Sequence, residues 1–148
     1  MPYVETSIEV DAPARAVYEL AKKQERFGEF MPDVESVTVL ERNGSRVVTR
    51  WKTLVEEAPI EWTEEDHFDD EALRVDYRLI EGDLDRFDGS WTFVDGGGRT
   101  RVTLGVDYDF GVPTLAELIG PTLLKKVREN SEMMLAALKD EAEKASSS

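Results

Sequence analysis

VVTRWKTLVEEAPIEWTEEDHFDDEALRVDYRL, residues 47–79, is the stretch that decides the fold. Val47, Trp51, Ile60, Trp62, Phe68, Val75, Tyr77 and Leu79 share one period-two register. Arg46, Arg50, Lys52, Glu61, Glu65, His67, Arg74, Asp76 and Arg78 take the other. Strict alternation of this kind marks half-buried strands. It continues beyond residue 79: Phe87, Trp91, Phe93, Leu104, Val106 and Tyr108 fall on the apolar side, Asp88 and Thr92 on the polar side. All three tryptophans of the chain therefore point inward. Because a slip of one residue would turn every side chain over, so clean a division specifies the register strongly.

The alternation predicts strands near 35–42, 45–56, 59–69, 72–80, 86–95 and 99–110, joined at Asn43-Gly44, Glu57-Ala58, Asp70-Glu71, Gly82-Asp83 and Gly96-Gly97-Gly98. Asn-Gly between apolar runs is a strong hairpin signal, and consecutive hairpins imply a curved antiparallel sheet. With two-residue turns, Phe68 faces Leu73, Asp66 faces Val75 and Glu64 faces Tyr77. Trp51 falls opposite Glu64, Thr53 opposite Trp62, Trp91 opposite Leu104 and Phe93 opposite Val102. Gly89, on the apolar side, either bends its strand or leaves room for a ring or ligand. Gly96-Gly97-Gly98 lacks the Lys-Ser/Thr of a phosphate loop and reads as a turn.

Before this block, Val4, Thr6, Ile8 and Val10 alternate with Tyr3, Glu5, Ser7 and Glu9, giving a seventh strand. Asp11-Ala12-Pro13 then opens a helix, with Asp11 or Ala12 near the N-cap and Pro13 near the first helical position. Val17, Leu20 and Ala21 mark its buried side. A second short helix is predicted from Gln24 to Phe30, ending at Met31-Pro32 because the residue before proline avoids helical geometry. After Gly111-Val112-Pro113, residues Leu115, Ile119, Leu123, Val127, Met134 and Leu138 recur at helical spacings, with Asn130 placing a polar group on the buried face. Gly120-Pro121 predicts a kink or break between a short helix and a long one. Leu118, Leu124 and Leu135 lie off the main stripe and suit a lid, a homodimer contact or plain exposure.

The 148 residues suit one domain, 1–144, with 145–148 as a frayed tail. Formal net charge is −14, which repels phosphate backbones and anionic membrane surfaces, so nucleic acid is not an expected partner. No cysteine is present, so disulfides, thiolate nucleophiles and Cys-ligated metals are excluded. One histidine, His67, leaves no multi-His metal site and argues against a Ser-His-Asp hydrolase. It reads as an outward surface residue. No metal or cofactor is expected. With no apolar run near the roughly 20 residues of a membrane span and no signal-peptide pattern, the expected location is the cytoplasm, without stable membrane insertion.

The order of strand, two short helices, six strands and a long C-terminal helix is that of the helix-grip fold, of the α+β class. Ile8-Glu9-Val10-Asp11-Ala12-Pro13 with Val17-Tyr18, Phe30-Met31-Pro32-Asp33-Val34, Glu81-Gly82 with Phe87-Asp88-Gly89-Ser90-Trp91, and Thr100-Arg101-Val102 carry a family likeness. On these motifs the chain resembles the START-like (SRPBCC) superfamily, in its polyketide cyclase/dehydrase and coenzyme Q-binding branch, especially small stand-alone bacterial members. The resemblance implies a cavity between the concave sheet and the last helix, and an apolar or aromatic guest such as a quinone, isoprenoid, lipid or polyketide. Members include carriers as well as cyclases, whose pockets steer an enolate and often use an arginine. Arg50, Arg74 and Arg78 fall outward here, which weighs against a cyclase. Fold alone does not assign a reaction.

In that setting Trp51, Trp62, Glu64, Tyr77, Trp91, Leu104, Ile119, Leu123 and Val127 are the candidate ligand-binding residues. The aromatics read either as a stacking platform or as ordinary core. Phe27, Phe30, Met31 and Leu115 read as a lid or as packing against the sheet edge. Glu64 and Asp66 are carboxylates on an apolar face, which is costly unless something binds them. They are the candidate proton shuttle of an enzyme, with Tyr77 as carbonyl donor. The alternative is a structural network in which Glu64 bonds the Tyr77 hydroxyl or Asn130 and Asp66 sits near the solvated rim. Binding of a hydrophobic small molecule is the leading expectation. A cyclase/dehydratase comes second, and a protein-interaction module like the ribosome-associated toxin-like members third.

Overall fold

The computed structural model describes the backbone of residues 3–55, 58–109 and 113–146, without the side chains of 55, 58, 113–123, 145 and 146. The predicted elements form in the predicted order. They are β1 (Tyr3–Val10), α1 (Ala14–Lys22), a 3-10 turn (Gln24–Arg26), α2 (Phe27–Phe30), β2 (Val34–Asn43), β3 (Arg46–Val55), β4 (Ala58–Asp69), β5 (Arg74–Gly82), β6 (Arg86–Asp95), β7 (Thr100–Asp109) and α3 (Pro113–Ser146). The seven strands make one antiparallel sheet in the order β1-β7-β6-β5-β4-β3-β2. Pro13 itself occupies the N-cap of α1, where Asp11 or Ala12 was expected, so the helix starts one residue later than predicted.

The registers differ from expectation at two hairpins, each by two residues. Trp51 pairs with Trp62 and Thr49 with Glu64. Phe68 pairs with Val75, Asp66 with Tyr77 and Glu64 with Leu79; a bulge between Thr63 and Glu64 then sets Thr63 opposite Glu81 and Trp62 opposite Gly82. The first shift follows from pairing that runs on to Val55 and Ala58, so the chain reverses one residue earlier than predicted. The second follows from a wider turn after Asp69, which places Leu73 at φ 56° and whose Asp69 carboxylate accepts the amides of Glu71 and Ala72. A shift of two preserves the pleat, so every inward assignment survives. The glycine hairpin has the expected register, with Trp91 opposite Leu104 and Phe93 opposite Val102.

The last helix seals the β1 edge of the sheet. Arg128 donates from Nη1 to the Glu5 carbonyl at 3.5 Å, and Lys139 donates from Nζ to the Glu9 carbonyl at 3.1 Å. The Glu143 carboxylate accepts the Asp11 amide at 2.8 Å and also pairs with Lys139. Charged side chains thus occupy backbone groups that an open edge would offer to another chain. The helix runs unbroken through Gly120-Pro121, where a kink or break was expected. Met134, Leu135, Leu138 and Ala142 are buried, with Val127 half-buried against them. Leu135 therefore belongs to the core rather than to an off-stripe contact, while Leu124 is exposed. The buried polar group of this face is Ser131; Asn130 is half-buried one position away. Leu115, Leu118, Ile119 and Leu123 lie outside the described side chains, as does the tail at 145–148. No helix among the described residues is long and apolar enough to cross a membrane.

Candidate functional site on the concave face

Pleating brings Thr49 and Trp51 of β3, Trp62, Glu64 and Asp66 of β4, and Tyr77 of β5 onto one face, joined by Phe87 and Trp91 of β6 and Leu104 of β7. Trp51 and Trp62, direct cross-strand partners, stack with ring centroids 5.5 Å apart and planes within 8°. Phe87 leans on Trp62 at 4.9 Å and on Tyr77 at 5.7 Å. From α2, Phe27 meets Trp51 at 5.8 Å and Trp91 at 6.3 Å. A continuous belt of rings thus crosses the sheet, and such ring pairs add about 0.5–1.5 kcal/mol each beyond the area they bury. Phe27 and Met31 are fully buried and Phe30 half-buried, so the short helix is packed into the core at this point. Ile60, Leu79 and Phe87 remain half-buried on the same concave face.

Both indoles of the stack are tied to polar partners on their own strands. Trp51 Nε1 donates to Thr49 Oγ1 at 3.0 Å, and Thr49 Oγ1 donates to Asp66 Oδ2 at 2.8 Å. Trp62 Nε1 donates to Glu64 Oε1 at 2.8 Å. Burial raises the Glu64 pKa well above its ordinary value, and the neighbouring Asp66 raises it further. Burial also raises Asp66, against hydrogen bonds from Glu64, Thr49 and Gln24 that hold it down. The pair therefore favours holding a proton where surface carboxylates have lost theirs. Asp66 is fully buried, not at a solvated rim as the network alternative had it, because β3 and β5 flank it on both sides.

Tyr77 does not bond Glu64. Its hydroxyl donates to the Gly105 carbonyl at 2.7 Å, reaching across Gly89 on the intervening strand. The ring for which Gly89 leaves room is therefore Tyr77. A hydroxyl already committed to backbone, with its pKa raised by burial and then by Glu64, is a poor donor to a substrate carbonyl. On the convex side, Glu65 accepts from Arg46 Nε at 2.8 Å and Arg78 Nη2 at 2.9 Å, with His67 Nε2 at 2.6 Å. The His67 bond first, then Arg78 and Arg46, pull its carboxyl down to about 2. Arg50 pairs with Glu61 and Arg74 with Asp76. Arg46, Arg50, Arg74, Arg78 and His67 are thus outward, as expected.

Two members of the buried network were missed from sequence. Thr49 was in the inward register but carries no special signal, since threonine is common in strands. Gln24 sits in a 3-10 turn, where no long period reveals which side chain goes inward; it is buried and meets Asp66. Ile119, Leu123 and Leu115, the candidate residues from the first half of α3, lie outside the described side chains.

Residues 10–135 match the family model described as polyketide cyclase / dehydrase and lipid transport. The chain is 32% identical over 142 residues to the actinorhodin polyketide synthase bifunctional cyclase/dehydratase of Streptomyces coelicolor; the match spans 89% of this sequence but only 41% of that relative. Among solved structures, TTHA0849 of Thermus thermophilus superposes with a TM-score of 0.93 at 36% identity, covering 99% of this chain and 100% of that one. The Zhui aromatase/cyclase of Streptomyces sp. R1128 gives a TM-score of 0.88 at 24% identity, covering 96% and 93%. A START superfamily protein of Mycobacterium smegmatis gives 0.77 at 19%, covering 97% and 98%. The last two likenesses establish the helix-grip fold.

Proposed function

This chain belongs to the polyketide cyclase / dehydrase and lipid transport family, and from that premise we propose that it binds a hydrophobic, partly aromatic small molecule between the concave sheet and α3. The observation that carries this reading is the parallel Trp51–Trp62 stack on a face where Ile60, Leu79 and Phe87 stay half-buried. A planar apolar guest would find ring faces and aliphatic edges there. Burying about 300 Å² of apolar guest contributes roughly 7 kcal/mol at 25 cal/mol per Å², before ordering costs. Quinones, isoprenoids, lipids and polyketide-derived rings all suit this chemistry. Native mass spectrometry of gently purified protein, followed by uptake from a panel of quinones and lipids, tests it. Bound or captured guest is the expected result; consistent recovery of protein that takes up nothing from the panel refutes it.

A second reading, a cyclase or dehydratase acting on a polyketide-like substrate, is favoured by the buried Glu64–Asp66 pair and by the likeness to a cyclase/dehydratase. A carboxyl that holds its proton near neutrality can act as a general acid or, once deprotonated, as a base beside a carbonyl. Glu64→Gln separates the readings. Turnover lost with binding retained supports catalysis; binding lost with no turnover in either form supports a carrier.

A further inference from the structure

The polar groups around the tryptophan stack present one electrostatic sign. Trp51 and Trp62 commit their indole N–H groups to Thr49 and Glu64, and Tyr77 commits its hydroxyl to the Gly105 carbonyl. Thr49 and Thr53 donate to Asp66 and to the Ile60 carbonyl. None of these five side chains has a donor left. What remains is ring faces, the negative side of the aromatic quadrupole, and carboxyl oxygens. Basic side chains do not balance them. Arg46 and Arg78 hold Glu65, Arg50 pairs with Glu61 and Arg74 with Asp76, all across the convex face. His67 acts on Asp66 only from that same side. The stretch 102–124, which runs from β7 into α3, contains no lysine, arginine or histidine.

The two acids form one unit. Thr49 is the cross-strand partner of Glu64, yet its hydroxyl donates to Asp66 Oδ2 at 2.8 Å, so both carboxyls flank the same threonine. Asp66 Oδ1 is buried without a partner. Burial raises both carboxyls; their mutual contact then raises Glu64 further and holds Asp66 down. A proton shared within the pair gives Oδ1 its donor and leaves one negative charge. A charge in so dry a place is costly until a cation meets it. Leu79, the direct partner of Glu64, and Phe87, which leans on Trp62, are half-buried, so the open part of the concave face reaches the edge of Glu64.

We propose that the guest is a flat organic cation, an aromatic ring system bearing a quaternary or protonated nitrogen, with its ring on the tryptophan stack and its charge beside Glu64. This rests on the guest site proposed above and adds the sign of the charge. Indole faces and a carboxylate both attract such a nitrogen, and a site that excludes water strengthens each contact. The net charge of −14 draws cations toward the protein without selecting a pose. A carbonyl-rich ring has no such match, because the donors it needs are already committed.

Two probes of one outline separate charge from shape. N-methylquinolinium carries a fixed positive charge, and 1-methylnaphthalene carries none. Calorimetric titration of the whole chain at neutral pH should show the cation bound about tenfold or more the tighter. Glu64→Gln combined with Asp66→Asn keeps both shapes and removes every charge the pair can carry. In that double variant the two probes should bind within about threefold of each other. Naphthalene binding as tight as quinolinium binding in the unaltered protein overturns the charge inference while leaving apolar guest binding intact. Uptake of neither probe overturns both. A preference undiminished in the double variant belongs to surface acids and overturns the inference too. If the double variant does not fold, nuclear Overhauser contacts of the N-methyl protons in the unaltered protein decide. Contacts to the Trp62 ring and the Glu64 side chain support the inference; contacts to exposed acids alone overturn it.

Discussion

Gly89→Ala should be the most damaging single-methyl change in the sheet. A Cβ built on Gly89 lies 1.9 Å from the Gly105 carbonyl oxygen, 2.8 Å from its carbon and 2.6 Å from the Tyr77 hydroxyl. The two contacts with Gly105 are with backbone of the paired strand, so no side-chain rotation relieves them. β6 and β7 must separate locally, and the hydroxyl of Tyr77 must leave the carbonyl it now bonds. Overpacking of a tight core costs about 1–3 kcal/mol. Leaving a buried hydroxyl and carbonyl unpaired adds about 1–3 kcal/mol. The sum, roughly 2–6 kcal/mol, is a large part of the 5–15 kcal/mol that holds a typical domain folded. For a chain of this size it corresponds to a fall of roughly 5–20 °C in Tm. Urea unfolding read by far-ultraviolet circular dichroism gives the midpoint, with an unchanged m-value showing that the native state is still compact. Tyr77→Phe alone should cost about 1–2 kcal/mol, and the double variant little more than Gly89→Ala, since the hydrogen bond can be lost only once. A midpoint for Gly89→Ala within about 0.5 kcal/mol of the unaltered protein, or full additivity in the double variant, would refute this account of the Tyr77 cradle.

Thr49→Val keeps shape but removes the hydroxyl that accepts from Trp51 Nε1 and donates to Asp66 Oδ2. Two buried groups lose a partner, so stability should fall by about 2–4 kcal/mol in the same urea assay, and a loss below about 0.5 kcal/mol would contradict the network. Glu65 acts in the opposite pH range from the buried pair. Its carboxyl is pulled down to about 2 from an ordinary 4.5, so its stabilisation is complete above the ordinary value and is lost as pH falls toward 2. The Tm difference between the unaltered protein and Glu65→Gln should therefore shrink steadily with acidification over that window; a difference independent of pH would show that the clamp of His67, Arg78 and Arg46 does not hold the charge.

The fold was legible because alternation and turn chemistry pointed the same way along the whole sheet. Asn43-Gly44 and Gly96-Gly97-Gly98 fixed their hairpins, with Gly44, Gly97 and Gly98 at positive φ. Hairpins without a glycine were read two residues off, since Asp69 builds its turn by accepting two amides and Leu73 takes the left-handed position that a sequence reader reserves for glycine or asparagine. The inward residues came through because an error of two keeps parity. What parity cannot supply is partner identity. It placed Glu64, Asp66 and Tyr77 on one face and suggested a Glu64–Tyr77 bond, whereas the two-residue shift of the β4–β5 hairpin sets Tyr77 opposite Asp66, and the missing side chain at Gly89 lets its hydroxyl reach Gly105 instead. Gln24 escaped notice for a related reason: a three-residue 3-10 turn is too short to show a periodic face.

The hydrogen bonds of the tryptophan stack bear on what kind of guest it can select. Both indole N–H groups are spent within the protein, one on Thr49 and one on Glu64. What the stack can offer is ring face, which discriminates by planarity and size more than by functional group. Methylene-scale differences in an apolar pocket are worth only about 1–3 kcal/mol, whereas a buried polar group left unpaired by the wrong ligand rejects it far more strongly. A site whose donors are already satisfied is therefore suited to a class of flat apolar molecules rather than to one member of it. Any sharper choice must come from polar groups beside the stack, among them the acid pair, where the buried Asp66 Oδ1 still lacks a partner.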